Sequence, residues 1–421
     1  MQYFLKKISS NTLAKGSAFV FVGMMVSNVG AYLYHLLLGR TLGPSGYGEL
    51  SSLISLLYIF GVPTAVLQTI LVKYFSIYKA KEELGQAKTL YVKITKILIS
   101  ILFVTVIVLL FFSPLIANFL HLSNWRALIW VFLLLILSTL SSINGSVTQG
   151  FQLFIWVAVL SSAGAMFKLG ISIPFSYYGV EATMIAAVIA ALVFYILYFF
   201  PIRFLFSAKS QHITLHKKDF LSYGIPTFLS LLSMTSLYSI DVVLARHYLP
   251  TFDAGIYASV AVLGKVIFYA SSAIATVLFP ILAERHAKKE KVTTIVGLAV
   301  VLVSAVSLGV TICYIFFPTI VTHLLFGPSY DAAASYLGIF GVFISCYSIV
   351  NIFMMALLAL EKMRVWILTS IAALVQIGLI VCFHQTISGI IAINIGVTGA
   401  LLIGVVGYYW YGIHKHHHSS L

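Results

Sequence analysis

Two lysines stand where lysine is least expected. Lys168 lies some fourteen residues into one long apolar run, and Lys265 some eleven residues into another. At about 1.5 Å per residue, both sit near the middle of any membrane span those runs form. A charged side chain at that depth costs about 2.5–3.5 kcal/mol on insertion scales, so each needs a compensating partner. Carboxylates are scarce: Asp241 is the acid inside an apolar run, three to five residues from its end, with Glu49 and Glu181 at run boundaries. Arg246 is close to Asp241 in sequence and is the partner expected for it. At least one mid-span lysine is then left without a protein counter-ion, and an anionic ligand would supply one.

Helical spacing places polar neighbours around these groups. Lys265, Tyr269, Ser272 and Thr276 recur at i, i+4, i+7 and i+11, Ser161, Gly164, Lys168 and Ser172 repeat the pattern, and Asn28, Tyr32 and His35 share a face. A face turned to acyl chains would not be polar, so these stripes look toward protein or water. Asn28, Tyr32, Gln68 and Tyr269 are the candidates to line an aqueous path. The polar stretch Ser138 to Gln149 reads as helix-to-helix packing, since Ser and Thr join helices within lipid. Asn351, Gln376 and Gln68 take the same reading, with the aqueous path as the alternative for Gln68. Arg40 and Arg246 are either rim groups of such a path or interfacial anchors.

The elements that must position these residues follow from composition. Of 421 residues 61% are hydrophobic and 9% are charged, against roughly 25% charged in a soluble domain. The chain is therefore expected to be an all-α integral membrane protein. Twelve apolar runs are long enough to span: roughly 14–38, 49–72, 97–117, 127–149, 154–176, 181–202, 220–246, 254–283, 293–317, 333–360, 364–384 and 389–412. The net charge of +14 does not indicate nucleic acid, because the basic residues sit in short connections between the runs. With the N-terminus inside, cytoplasmic segments hold 20 of the 25 Lys and Arg, and outer connections hold Arg40, Arg126 and Arg246. Both termini are expected in the cytoplasm of a plasma or inner membrane protein. The run from Leu13 to Leu38 is too long for a cleavable signal.

Several chemistries are excluded. Cys313, Cys346 and Cys382 lie in apolar runs without paired spacing, so neither disulfides nor a metal is expected. The tail His414 to His418 reads as a solvated basic end. There is no GxSxG, Walker A or HExxH sequence and no paired loop carboxylates. The chain is expected not to be an enzyme and to need no cofactor; any coupling ion is left open.

The chain is also written twice. Leu38-Gly-Arg40-Thr-Leu-Gly43-Pro44-Ser-Gly-Tyr-Gly48-Glu-Leu50 returns as Leu244-Ala-Arg246-His-Tyr-Leu-Pro250-Thr-Phe-Asp-Ala-Gly255-Ile-Tyr257. Arg40 falls on Arg246, Pro44 on Pro250 and, after one inserted residue, Gly48 on Gly255. Phe111-Phe112-Ser113-Pro114 has its counterpart in Phe316-Phe317-Pro318. Six spans per half is an even number, so the halves share one orientation in the membrane and form a parallel repeat. The expected division is a six-helix lobe over 1–202, a cytoplasmic linker over 203–219 and a second six-helix lobe over 220–421 with a short basic tail.

Arg40-x-Leu42-Gly43-Pro44-x-x-Tyr47-Gly48, Asp241-x-x-Leu244-x-Arg246, Gly255-x-Tyr257, Pro280 and Phe326-Gly327-x-x-Tyr330 together resemble the oligosaccharide flippase (polysaccharide transport) family. That family belongs to the multidrug/oligosaccharidyl-lipid/polysaccharide exporter (MOP) superfamily, and the resemblance covers essentially the whole chain. Leu249-Pro250 stands where the family often continues with Gly. The resemblance implies a V-shaped pair of MATE-like six-helix lobes, with the first, second, seventh and eighth helices facing a central cavity. It implies alternating-access transfer of a polyprenyl-linked, (pyro)phosphate-bearing glycan from the cytoplasmic to the outer leaflet. Lys265 would bind the head group, with Arg40, Arg246, Lys168 and Asp241 as further binding candidates. The partners expected are the anionic polyprenyl-linked glycan, membrane lipids and glycan-assembly proteins, with no nucleic acid. The competing reading is a cation-coupled multidrug exporter of the same superfamily, which favours acidic cavities. A third is a membrane scaffold in a glycan-assembly complex.

Overall fold

The computed structural model describes residues 2–212, 217–287, 292–360, 362 and 364–418. Side chains are described from Val22 to Tyr411, with gaps, so the His414–His418 tail, Ser272, Thr276 and Pro280 lie outside the described side chains. The first half runs α1 (Gln2–Ala80), α2 (Leu84–Phe111), α3 (Ser113–Phe119), α4 (Arg126–Gly150), α5 (Phe154–Ser176), α6 (Val180–Leu197) and α7 (Phe199–Ser207). The second runs α8 (Lys217–Leu237), α9 (Ile240–Tyr248), α10 (Thr251–Ala287), α11 (Thr293–Phe316) and α12 (Pro318–Phe326). A short 3-10 turn (Pro328–Ala333) leads into α13 (Ala334–Ala359), α14 (Val365–Cys382) and α15 (Ile387–His418). Among the described residues there is no strand, and within a bilayer that is the economical solution, since a helix satisfies its own backbone.

Ten described helical stretches are long and apolar enough to cross a membrane, and eleven if the bent pair Gly224–Leu237 and Ile240–Tyr248 counts as one span. The stretch Met25–Ala80 has 56 residues, about 84 Å of helix at 1.5 Å per residue, against a hydrocarbon core of about 30 Å. It therefore holds two of the twelve expected crossings. Between them Gly43 takes φ 66°, ψ 176°, a conformation open to glycine and closed to most side chains. The bend of 43° in the other broken span falls at Tyr238 and Ser239.

The chain forms two compact units: residues 1–42 with 60–221, and residues 43–59 with 222–421. In the first, α4 packs on α6, α5 on α6, and α2 on α4. In the second, α13 packs on α15, α14 on α15, and α11 on α13. These are the same pairings in repeat-equivalent helices, so the duplication read in the sequence is present in the packing. Both Phe-rich span ends behave alike too. Pro114 and Pro318 each stand at the start of a short helix, α3 and α12, where a missing N–H costs nothing and the fixed φ suits the first turn.

The polar stretch of α4 packs as expected. Thr139 and Thr64 share a hydrogen bond of 2.9 Å, and Tyr91 donates to Asn144 at 2.8 Å. Ser142, Ser146 and Thr148 bond back to carbonyls of their own helix. Around them Leu71, Phe75, Leu90, Tyr91, Ile143 and Ile202 make the core of this end of the first unit. Gln376 is likewise fully buried and hydrogen-bonded.

Candidate functional site

In the second unit the break at Tyr238 and Ser239 decides the local geometry. It ends α8, leaves the Leu237 carbonyl outside the helical ladder, and lets α9 start with Asp241 in its first turn. An acid there complements the helix dipole, and the Val242 N–H donates to Asp241 Oδ1 at 2.9 Å. Asp241 is fully buried. Its other oxygen accepts from Tyr257 Oη at 2.5 Å and Asn394 Nδ2 at 3.1 Å. Gln376 then donates to Asn394 Oδ1 at 2.8 Å and to the Leu237 carbonyl at 2.9 Å. One network thus ties α8, α9, α10, α14 and α15 together, and it satisfies the backbone group that the break exposes.

Arg246 is not the partner of Asp241. It lies at the end of α9, 3% exposed, with Nη2 3.7 Å from Glu49 Oε2, and Glu49 is equally buried. The expected pairing fails because Asp241 already holds three donors from other groups. Glu49 comes from residues 43–59, the part of α1 that belongs to this unit, and is buried there.

Lys265 sits on α10, 6% exposed. Its Nζ lies 5.0 Å from the Tyr238 ring centroid and 5.6 Å from that of Tyr58. Tyr238 is itself stacked on Phe268 and meets Tyr347 edge-on, so the ring is held in place. Asp241 is within electrostatic reach of Lys265, but no carboxylate among the described residues comes within ion-pair distance of the ammonium. Tyr269, one turn on, is exposed.

In the first unit Lys168 lies on α5 with Nζ 4.2 Å from the Tyr34 ring centroid on α1. No carboxylate pairs with it among the described residues. Glu181, at the start of α6, accepts instead from Asn124 and Trp130. The two helices approach closely: a Cβ on Gly23 would lie 2.6 Å from the Ala158 Cα, and one on Gly30 3.3 Å from the Ala165 Cβ. Asn28 and Arg40 are exposed, and Tyr32 and Gln68 half-buried.

The structure therefore places Lys265, Asp241, Arg246 and Tyr269 in one unit, and Lys168, Arg40, Asn28, Tyr32 and Gln68 in the other. Sequence reasoning did not single out Tyr257 and Asn394 as partners of Asp241, nor Tyr34, Tyr58 and Tyr238 as supports for the lysines. For Asn394 a signal existed: a lone amide inside an apolar run poses the same question of a partner as a charge does.

The profile of the family described as polysaccharide biosynthesis protein matches residues 13–286, more than half of the chain. The chain belongs to the polysaccharide biosynthesis protein family. No curated protein sequence matches it. The fold of this family member is also that of several solved transporters. An inward-facing multidrug resistance MATE family transporter of the MOP superfamily matches with a TM-score of 0.75 at 14% identity, over 94% of this chain and 98% of that one. The lipid II flippase MurJ, in an inward closed conformation, matches with a TM-score of 0.72 at 15% identity, over 94% and 87%. A MOP superfamily transporter from Pyrococcus furiosus, described by a binding pocket of reverse polarity, gives 0.60 at 20%, over 95% and 94%. These likenesses establish that this polysaccharide biosynthesis protein shares the helical fold of those solved structures.

Proposed function

We propose that the chain is a flippase that carries a polyprenyl-linked oligosaccharide or polysaccharide precursor, joined through phosphate or pyrophosphate, from the cytoplasmic to the outer leaflet by alternating access. The observation that carries this reading is that both mid-span lysines rest on tyrosine rings and, among the described residues, pair with no carboxylate. A ring face offsets part of the desolvation of an ammonium and leaves its N–H groups open to phosphate oxygens, which accept a lysine point charge well. Unaided, a phosphate would meet hydrocarbon at prohibitive cost. Membership of the polysaccharide biosynthesis family supports a glycan cargo, and the MurJ-like fold accommodates a lipid-linked one.

In this proposal Lys265 binds the head group, and Lys168 provides a second cationic contact in the other unit. Arg40, being exposed, attracts anions at a rim, and Arg246 joins only when its pair with Glu49 opens. Asp241 offsets the Lys265 charge at a distance while no cargo is bound. The lysine and arginine bias places both termini in the cytoplasm of a cell membrane. Surface-glycan complementation tests the reading: Lys265→Ala and Lys265→Glu should both lose export, and wild-type export from both would end the assignment.

One observation favours the multidrug alternative, namely the buried carboxylate Asp241 within a MATE-like fold. That reading requires Asp241-dependent resistance to organic cations in cells expressing the chain. Resistance without any effect on surface glycan would replace the flippase assignment.

A further inference from the structure

The first unit is short of acids. It holds Glu82, Glu83, Glu181 and Asp219, and neither residues 1–42 nor α5 contains one. Glu82 and Glu83 lie in the turn between α1 and α2, and Glu181 is occupied by Asn124 and Trp130. Lys168, half-buried on α5, therefore has no carboxylate on its own helix or on the stretch of α1 that it faces. Its contact there is the Tyr34 ring. A ring face offsets part of the cost of a dehydrated ammonium but gives its hydrogens no oxygen to donate to.

Two hydroxyls beside it carry the same surplus. Tyr34 is 3% exposed and Ser172, one turn beyond Lys168 on α5, is fully buried. Tyr34 Oη and Ser172 Oγ are close enough to interact, yet neither makes a hydrogen bond of normal geometry. Even when one hydroxyl donates to the other, the second keeps a hydrogen without an acceptor. Buried donors left in that state are costly, and a buried charge more so.

The seam around them is narrow. α1 and α5 meet at Gly23–Ala158, Gly30–Ala165 and Thr41–Ser176, and the last pair, 135 residues apart, keeps the register of the first two. Gly23, Gly30, Tyr34 and Thr41 fall at i, i+7, i+11 and i+18, one face of a helix. The helices touch at Gly30–Ala165 on one side of Lys168, and Ser176 donates to Thr41 at 2.7 Å on the other. Between those contacts lie one positive charge, donors only, and little room.

We propose that Lys168, Tyr34 and Ser172 form a binding site for a small monovalent anion, for which chloride has the right charge and size. A single ion of that kind receives the ammonium and the spare hydroxyl hydrogen together and balances the charge where the protein supplies no acid. The site stands without the flippase reading. One consequence does rest on that reading: a cargo phosphate reaching Lys168 competes with the halide for the same ammonium.

The test uses the full-length protein, purified in detergent and exchanged into gluconate, with chloride NMR line broadening read as chloride is added. Broadening should saturate with protein and be reversed by bromide. Lys168→Gln should abolish it, whereas Lys265→Gln should leave it unchanged. Tyr34→Phe, which keeps the ring, and Ser172→Ala should each weaken chloride binding by about tenfold. Thermal unfolding in gluconate checks that each variant is folded, and chloride should raise the unfolding temperature of the unaltered protein but not of Lys168→Gln. Broadening that survives Lys168→Gln, or that falls equally in Lys265→Gln, overturns the site. If Lys168→Gln does not fold, undiminished broadening in both Tyr34→Phe and Ser172→Ala overturns it. Stabilisation by inorganic pyrophosphate but not by chloride assigns these donors to phosphate and overturns the halide. Glycan export that ignores Lys265 removes the flippase and leaves the chloride site standing; export lost in Lys265→Ala with no chloride bound does the reverse.

Discussion

The two copies of the repeated motif have been put to different uses. In the first, Arg40 is exposed, and the mid-span lysine of its unit, Lys168, leans on one tyrosine ring with no carboxylate paired to it among the described residues. In the second, Arg246 is buried against Glu49, Lys265 lies near two rings, and the hydrogen-bonded Asp241 lies within electrostatic reach. The motif position that supplies Glu49 in the first copy is Ile256 in the second. The repeat-equivalent position of Glu49 therefore carries no acid. One template produced a half whose motif arginine is exposed and a half whose motif arginine is buried in an ion pair. The difference shows that the arginine marks a place in the fold, while its surroundings differ between the copies.

The largest effect should come from Arg246. Arg246→Ala removes the buried cation paired with Glu49, a loss of about 3–5 kcal/mol, whereas Arg40→Ala, at an exposed position, should cost less. Thermal unfolding in detergent measures both, and equal shifts would erase the contrast between the copies. Next is Lys265. Removing a charged hydrogen bond to phosphate, worth about 1.5–3 kcal/mol, lowers cargo affinity by about ten- to a hundredfold. Lys168→Gln should cost less, since the first unit offers a single supporting ring. Export measured at graded expression levels ranks the two, and a larger loss at Lys168 would move the principal binding group to the first unit.

Asp241→Asn should destabilise by about 1–3 kcal/mol, because an amide cannot accept from all the donors now turned toward it. Asn394→Leu should cost about as much, and the pair together less than the sum, as members of one network do. Additive losses in a double-mutant cycle would show that the network is not a unit. The smallest effect belongs to Tyr34→Leu, which removes a cation–π contact worth about 0.5–2 kcal/mol from Lys168. A thermal shift in that variant but none in its Lys168→Met counterpart would assign the contribution of Tyr34 to packing.

Much of this molecule is legible in its sequence because the bilayer enforces it. Span length, basic-residue bias and the duplicated Arg-Pro-Gly motif each follow from a single local rule, and the family resemblance rests on motifs that the fold uses as turns and crossings. What is not legible is pairing over long separations. Arg246 and Asp241 are five residues apart, and nearness suggested a partnership; the arginine instead reaches Glu49, and the aspartate reaches Asn394 153 residues away. Distance along the chain says nothing about which carboxylate a folded bundle turns toward which base. Gly43 hid a second lesson. A Gly-Pro turn reads as a boundary between two helices, yet the helix resumes at once, and the glycine's left-handed φ is the whole of the interruption.

The carbonyl of Leu237, released where its span breaks, has a bearing on how the protein is made. Its donor, Gln376, lies 139 residues further along the chain, and at a synthesis rate of about 5–20 residues per second the wait is roughly 7 to 28 seconds. During that interval a bare oxygen has no protein donor inside the membrane, where non-helical backbone is tolerated only next to protein or water. The seventh crossing should therefore linger beside the translocation machinery, or in its aqueous interior, until the eleventh emerges.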